Sequence, residues 1–438
     1  MADEEWTLTT LGEIAAEPYG LVDGPFGSSL PSSDYTADGI PLIRGNNLSL
    51  GETRFRFSDF VFVSDATAQR HRRSLCRPGD IVFTKKGTIG QTGFVPFESR
   101  YQTFLLSGNQ MKLSVDRQKA DPLFVYYVVS ARDSRDKIVR DASITGVPKT
   151  NVAYLRQFPI SLPPINAQRA IAHILGTLDD KIELNRRMQE TLEAMSGALF
   201  RSWFVDFDPV RAKAEGRDPG LPQALADLFP DSFQDSELGK IPRGWATREL
   251  REVLTESNER MGEADAAEYS STNTGLQPRS ERFKKALSRS SAKNKLIRSG
   301  YLVFGLSRRV LNFGLMRDAI GSVSSAYKVF AVDQRMVAPD LLERLIRLQP
   351  NYFYNAVSAS SREGQSVSTE GLGLLRFAQP APEVQDAFYR ITGPLRDRIN
   401  ALQEQSQSLA ALRDALLPKL ISGELRLKTT EKVPSGRV

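Results

Sequence analysis

Arg44-Gly45-Asn46-Asn47 sets a guanidinium and two carboxamides within four residues, at the end of a predicted strand. Such groups can pair with guanine and adenine edges, which makes Arg44 and Asn46 candidates for reading bases. Lys85, Lys86 and Lys149 in the first half, and Lys284, Lys285, Arg308, Arg309 and Arg362 in the second, could hold phosphates. For any one of them a solvated surface cation is the plain alternative. Catalytic chemistry is missing. Gly87-Thr88-Ile89-Gly90 lacks the Gly-Lys-Ser/Thr ending of a phosphate-binding loop. Pro163-Pro164 is followed by Ile165 and Asn166, unlike the Asn/Asp-Pro-Pro-Tyr/Phe turn of an amino-methyltransferase. With two histidines and one cysteine, a dedicated Cys/His zinc site cannot be assembled. His71 and His173 read as ordinary polar residues, and Cys76 as a small buried hydrophobe. No catalytic residue, metal ligand or cofactor is expected in this chain.

The cations are unevenly placed. Residues 279–309 hold ten arginines and lysines against the one acid Glu281, and residues 70–86 hold six against Asp80. Residues 205–240 lean the other way, with eight acids and four bases. Two separate basic stretches in a chain of net charge +6 suggest two polyanion contacts, with solvated faces as the bland reading. At 438 residues, 40% apolar and 25% charged, the chain has room for two or three globular domains. No apolar run follows the acidic start, so neither a signal peptide nor a membrane contact is expected. A lone cysteine suits a reducing cytoplasm.

The elements that would carry these residues occur twice. Ile174, Leu178, Ile182, Leu192, Met195 and Leu199 form the apolar stripe of a helix over residues 168–204. Adding 217 gives Ile391, Leu395, Ile399, Leu409, Leu412 and Leu416, all apolar again. The approaches match at the same offset, Leu162-Pro163-Pro164-Ile165-Asn166-Ala167-Gln168 against Gln379-Pro380-Ala381-Pro382-Glu383-Val384-Gln385. Each reads as strand, turn, helix. The twelve stripe residues should form a seam between the two helices, paired antiparallel. Asn185 falls where an apolar residue is due, and its copy is Leu402. A buried Asn there would fix register; simple exposure is the alternative.

Each helix follows a mixed region. Runs at Pro41-Leu42-Ile43-Arg44, at Asp80-Ile81-Val82-Phe83 and over residues 110–115 read as strands, and residues 121–131 as a helix capped by Asp121. Trp245 restarts the pattern begun at Trp6, and Ser299-Gly300-Tyr301-Leu302-Val303-Phe304 answers Pro78-Gly79-Asp80-Ile81-Val82-Phe83, while the loops differ almost completely. The aromatics of the acidic connector argue that it packs on the helices. The expected class is α+β. Two mixed α/β domains (1–165 and 243–382) stand in pseudo-two-fold repeat. Long antiparallel coiled-coil helices (166–204 and 383–421) separate them, with a connector (205–242) and a tail (422–438).

In this order, these features resemble the specificity subunit of Type I restriction–modification enzymes over nearly the whole chain. The resemblance rests on the two-copy layout, the Pro-Pro-x-x-x-Gln approach, the Trp203–Val210 segment, Ser236-Glu237-Leu238-Gly239-Lys240-Ile241-Pro242-Arg243-Gly244-Trp245, and Leu417-Pro418-Lys419-Leu420-Ile421-Ser422-Gly423. It implies that each mixed domain is a target-recognition domain reading half of a bipartite site in double-stranded DNA. The helices would dock two methyltransferase subunits that methylate adenine with S-adenosylmethionine. Translocase–nuclease subunits using ATP and Mg would complete the complex. This chain would then be non-catalytic. At about 1.5 Å per residue and 3.4 Å per base pair, a helix over residues 168–204 caps the distance between domain centres at roughly 16 base pairs. Two departures stand out: Gln379-Pro380-Ala381-Pro382 lacks adjacent prolines, and Thr145-Gly146-Val147-Pro148-Lys149 has no clean second copy. The alternatives are a subunit of a methylation-only or other phage-defence complex, and a coiled-coil scaffold with no nucleic-acid role.

Overall fold

The computed structural model describes residues 6–143, 147–272, 275–281, 291–305, 312–348 and 368–426. The chain folds as two units, one of residues 1–191 with 398–438 and the other of residues 192–397. Each long helix therefore contributes residues to both units. The helices span Ile165–Phe204 and Pro382–Ile421, 40 residues each. Among the described residues no helix is long and apolar enough to cross a membrane.

In the first unit a four-stranded sheet runs in the order Leu21–Asp23, Gln110–Leu113, Ile81–Thr84, Thr92–Phe94, all antiparallel. A five-stranded sheet that includes Ile40–Ile43 and Phe104–Leu106 stands beside it. Asp121 caps the helix Pro122–Ser130, its carboxylate accepting from Phe124 N at 2.9 Å. Phe124, Val125 and Val129 of that helix bury against the four-stranded sheet and against Ile171 and Leu175 of the first long helix. The outermost strands Thr7–Thr10 and Pro159–Leu162 pair antiparallel, so the chain enters and leaves the domain side by side.

The second unit repeats this plan. Its four-stranded sheet has the same order, Leu254–Glu256, Lys328–Val332, Tyr301–Phe304, Phe313–Leu315. Ala246–Glu249 pairs with Arg376–Gln379 as the closing ribbon. The connector packs as its aromatics suggest. Phe229 meets Trp203 edge-on with ring centroids 4.9 Å apart, and Phe207 meets Trp245 at 5.6 Å.

Within the first unit Asp179 pairs with Arg413 at 2.8 Å, and Asn185 with Gln405 at 2.9 Å. One number rises as the other falls, so the helices run antiparallel. The buried line differs from the expected stripe. Ile174, Leu178, Ile182, Leu192 and Leu199 are half-buried, as are Ile391, Leu395, Ile399, Leu409 and Leu416. Met195 and Leu412 are 55% and 48% exposed and lie outside the seam. Full burial falls instead on Leu175, Asp179, Asn185, Ser196 and Phe200, and on Phe388, Thr392, Leu402, Arg413 and Leu420. Several are polar, so hydropathy alone aims the helix off its buried face by about one position.

Candidate nucleic-acid interface

The first-unit candidates gather at one end of the four-stranded sheet. Beyond Thr84 the chain runs into Lys85 and Lys86. Lys85 N donates to Asn109 O at 2.7 Å, and Thr150 N donates to Lys85 O at 2.9 Å. Gly87 N donates to Pro148 O at 3.2 Å, which makes Lys86 and Lys149 partners in an isolated antiparallel bridge. Both lysines are exposed, so two cations far apart in sequence share one surface. Lys85 is different. Its ammonium pairs with the Asp23 carboxylate and lies 3.6 Å from the centroid of the Phe26 ring. A phosphate at Lys85 has to compete with Asp23; one at Lys86 and Lys149 meets no such rival in that bridge.

The Arg44–Asn47 turn sits at the same edge. Arg44 N donates to Asn47 Oδ1 at 2.9 Å, and Arg44 Nη2 to Asp59 O at 2.6 Å. Asn47 is fully buried, its amide donating to Arg56 O at 3.0 Å and Ser58 O at 2.9 Å. Asn47 therefore holds the loop, whereas Asn46 is exposed. A Cβ on Gly45 would come within 3.6 Å of Gln91 Oε1 and 3.8 Å of Gln110 Nε2. Those glutamines belong with the turn, and sequence reasoning missed them. Thr84 Oγ1 donates to Gln91 Oε1 at 3.3 Å, and Thr84 faces Gln110 across the strands. Gln110 is buried and its carboxamide oxygen accepts from the Ser107 hydroxyl, so the edge presents Asn46 and the half-buried Gln91 beside the exposed lysines, groups able to read bases and hold phosphates. Nothing in the sequence marks Gln91 or Gln110, because strand pairing alone brings them there.

In the second unit Lys284, Lys285, Arg308, Arg309 and Arg362 lie outside the described residues. Lys328 takes the register position of Gln110, facing Phe304 at the end of its strand as Gln110 faces Thr84. Its ammonium lies 2.9 Å from Glu256, the last residue of its edge strand as Asp23 is of the equivalent one. The sequence reading passed over Lys328. Lys295 is buried nearby, and burial lowers its ammonium pKa, outweighing the Glu256 carboxylate, which raises it. Among the described residues no group of His, Cys, Asp and Glu could hold a metal ion.

Each domain is fastened to its long helix by the same contact. Gln168, 2% exposed, accepts from Asp121 N at 2.9 Å and donates to Pro163 O at 2.7 Å. Gln385, 7% exposed, accepts from Ala338 N at 3.3 Å and donates to Pro380 O at 3.1 Å. Asp121 and Ala338 precede equivalent helices, Pro122–Ser130 and Pro339–Leu348. The spacing of 217 thus runs through both partners of the contact.

Residues 38–194 match the family described as Type I restriction modification DNA specificity domain. The Type I restriction enzyme HindI specificity subunit of Haemophilus influenzae is 31% identical over 153 residues, a match spanning 33% of each chain. The MjaIX specificity subunit of Methanocaldococcus jannaschii is 21% identical over 97% of this chain and 94% of its own. Among solved structures, a Type I restriction–modification S subunit from M. genitalium superposes with a TM-score of 0.58. It is 14% identical and the match covers 98% of both chains, which shows a shared fold.

Proposed function

We propose, from the match of residues 38–194 to the Type I restriction modification DNA specificity domain and the similarity of the whole chain to Type I specificity subunits, that this chain is such a subunit and works as follows. Each mixed domain reads one short word of a bipartite target in double-stranded DNA. The paired helices set the unread spacer and dock two methyltransferase subunits. Those subunits would supply S-adenosylmethionine chemistry on adenine, and translocase–nuclease subunits would bring ATP- and Mg-dependent cleavage. This chain contributes sequence information and no catalytic group.

The observation that carries this reading is the repeated sheet edge. The same strand order occurs in both units, with Gln110 in one and Lys328 in the register position of the other. A kept frame with exchanged polar contents is what two readers of two different words require. In the first unit Asn46 and Gln91 are the base-reading candidates, with Lys86 and Lys149 on phosphates and the buried Gln110 supporting the turn from beneath. Replacing a cation that touches only phosphate should weaken binding to all sequences alike, whereas a base contact changes preference at one position.

Methylome mapping of a host with and without this gene tests the proposal. Two separated words should appear only with the gene, and exchanging residues 6–162 for the matching domain of a relative should change one word. A single continuous word, or both words changing, defeats the two-reader mechanism.

A further inference from the structure

We propose that Gln168 and Gln385 are positioning residues that fix the angle at which each reading domain leaves its own helix, and through it the length of spacer the protein accepts. The inference rests on the two-word reading above and adds a joint to it.

The geometry is specific. In each copy one carboxamide spans two breaks in regular structure. Its oxygen takes the N–H at the mouth of the domain helix, from Asp121 or Ala338. Its nitrogen gives to the carbonyl two residues before the long helix, that of Pro163 or Pro380. Only a side chain that is acceptor at one end and donor at the other closes both. Glutamate can accept and cannot donate. Leucine of similar size does neither, leaving an amide and a carbonyl unpaired in a buried place. The hinge being locked is the two-residue Pro163-Pro164 step, and its Pro380-Ala381 counterpart, between closing strand and long helix.

Among the described residues, the charged ties between domain and helix differ between the copies. In the first unit Tyr127 donates to Asp179 at 2.6 Å, and Arg54 pairs with Asp180. In the second, Arg396, which stands where Asp179 would be, pairs with Asp340 at 3.2 Å. Both domain helices also pack apolar side chains on their long helix, but apolar packing is tolerant of direction; the glutamine is the polar tie that the two copies share among the described residues, which points to it as the common determinant of angle. A residue needed only for folding would lower the amount of competent protein and leave target preference alone. A joint changes preference among spacers while the words stay the same.

The full chain, assembled with its methyltransferase partner, is assayed on DNA in which both words are held constant. The unread spacer is varied by one and two base pairs either side of the native length. A second series changes single bases within each word. Gln168→Leu and Gln385→Leu should each reduce the preference for the native spacer at least threefold and leave discrimination within the words unchanged. Gln168→Glu should fall between Leu and Gln. An unchanged spacer preference in soluble variants overturns the proposal, as does an equal loss of word discrimination. If the Leu variants are insoluble, Gln168→Glu and Gln385→Glu decide by the same two ratios. A wild-type complex showing no fixed spacer would instead refute the two-word reading, so the two failures are distinguishable.

Discussion

Asn185, fully buried on the first long helix, donates to Gln405 Oε1 at 2.9 Å and to Ser406 Oγ at 3.3 Å on the second. Its own Oδ1 is buried with no partner. The position equivalent to Asn185 in the repeat is Leu402, also buried. One carboxamide therefore holds the register of the helices in the first unit, at the cost of a half-satisfied polar group.

Asn185→Leu should accordingly stabilise the first unit by about 1 kcal/mol, because it removes an orphaned acceptor and adds apolar burial. Urea unfolding followed at that unit checks the sign. Register should loosen at the same time, visible as more heterogeneous cysteine cross-linking between engineered sites on the two helices.

Asp179 should behave in the opposite way. It takes Arg413 Nη1 at 2.8 Å and the Tyr127 hydroxyl at 2.6 Å, with Arg54 Nε at 3.8 Å. Burial raises the Tyr127 phenol well above its ordinary value and Asp179 adds to the rise, so the hydroxyl stays protonated as a donor. Asp179→Ala leaves the buried guanidinium of Arg413 with the exposed Asp414 as its remaining carboxylate among the described residues and should cost up to about 3 kcal/mol, the low end for a broken buried pair. Asp179→Ala with Arg413→Ala should cost less than the sum of the singles, as a double-mutant cycle in urea would show.

Glu343 makes the second unit acid-sensitive. Burial alone would raise its carboxyl, but Arg317 at 2.8 Å and Arg347 at 2.9 Å outweigh burial and hold it below the ordinary 4.5. A depressed carboxyl adds stability above its unfolded value, and that stability is lost as pH falls through the lower folded value. Unfolding midpoints of this unit should therefore drop below about pH 4.5, and Glu343→Gln should flatten that slope. At neutral pH the substitution should cost on the order of 2 kcal/mol, less than a fully buried pair because Arg317 is largely exposed.

Much of this is legible in the sequence. The helices announced themselves because six apolar positions keep one offset, and only a repeat does that. Asn185 was conspicuous because it interrupts an apolar line. Gln168 could be noticed as part of a motif, yet its partner Asp121 lies 47 residues away and is supplied by packing. The same limit hid Gln91 and Gln110. The seam was misaimed at Met195 and Leu412 because its buried face carries Asp179, Ser196 and Arg413, which hydropathy reads as surface.

Cys76 should be inert in the native chain. It is fully buried, and burial first, then the nearby Asp80 charge, pushes its thiol well above the ordinary value. Thiolate is the reactive form, so modification by a disulfide reagent at pH 8 should be at least about tenfold slower than in urea. Equal rates would mean that the strand pair Leu75–Cys76 with Phe104–Leu106 opens readily.

The composition of the first unit bears on how the protein is made. Leu416, Leu417, Leu420 and Ile421 pack into the same core as Phe124, Ile171 and Leu175, whereas residues 192–397 belong to the other unit. The domain translated first thus waits, with an apolar face uncovered, until the ribosome has finished the domain translated second. Premature stops close to residue 410 should therefore injure the earlier domain and spare the later one, inverting the usual polarity of truncation damage. Chaperone dependence during synthesis should centre on the same uncovered face.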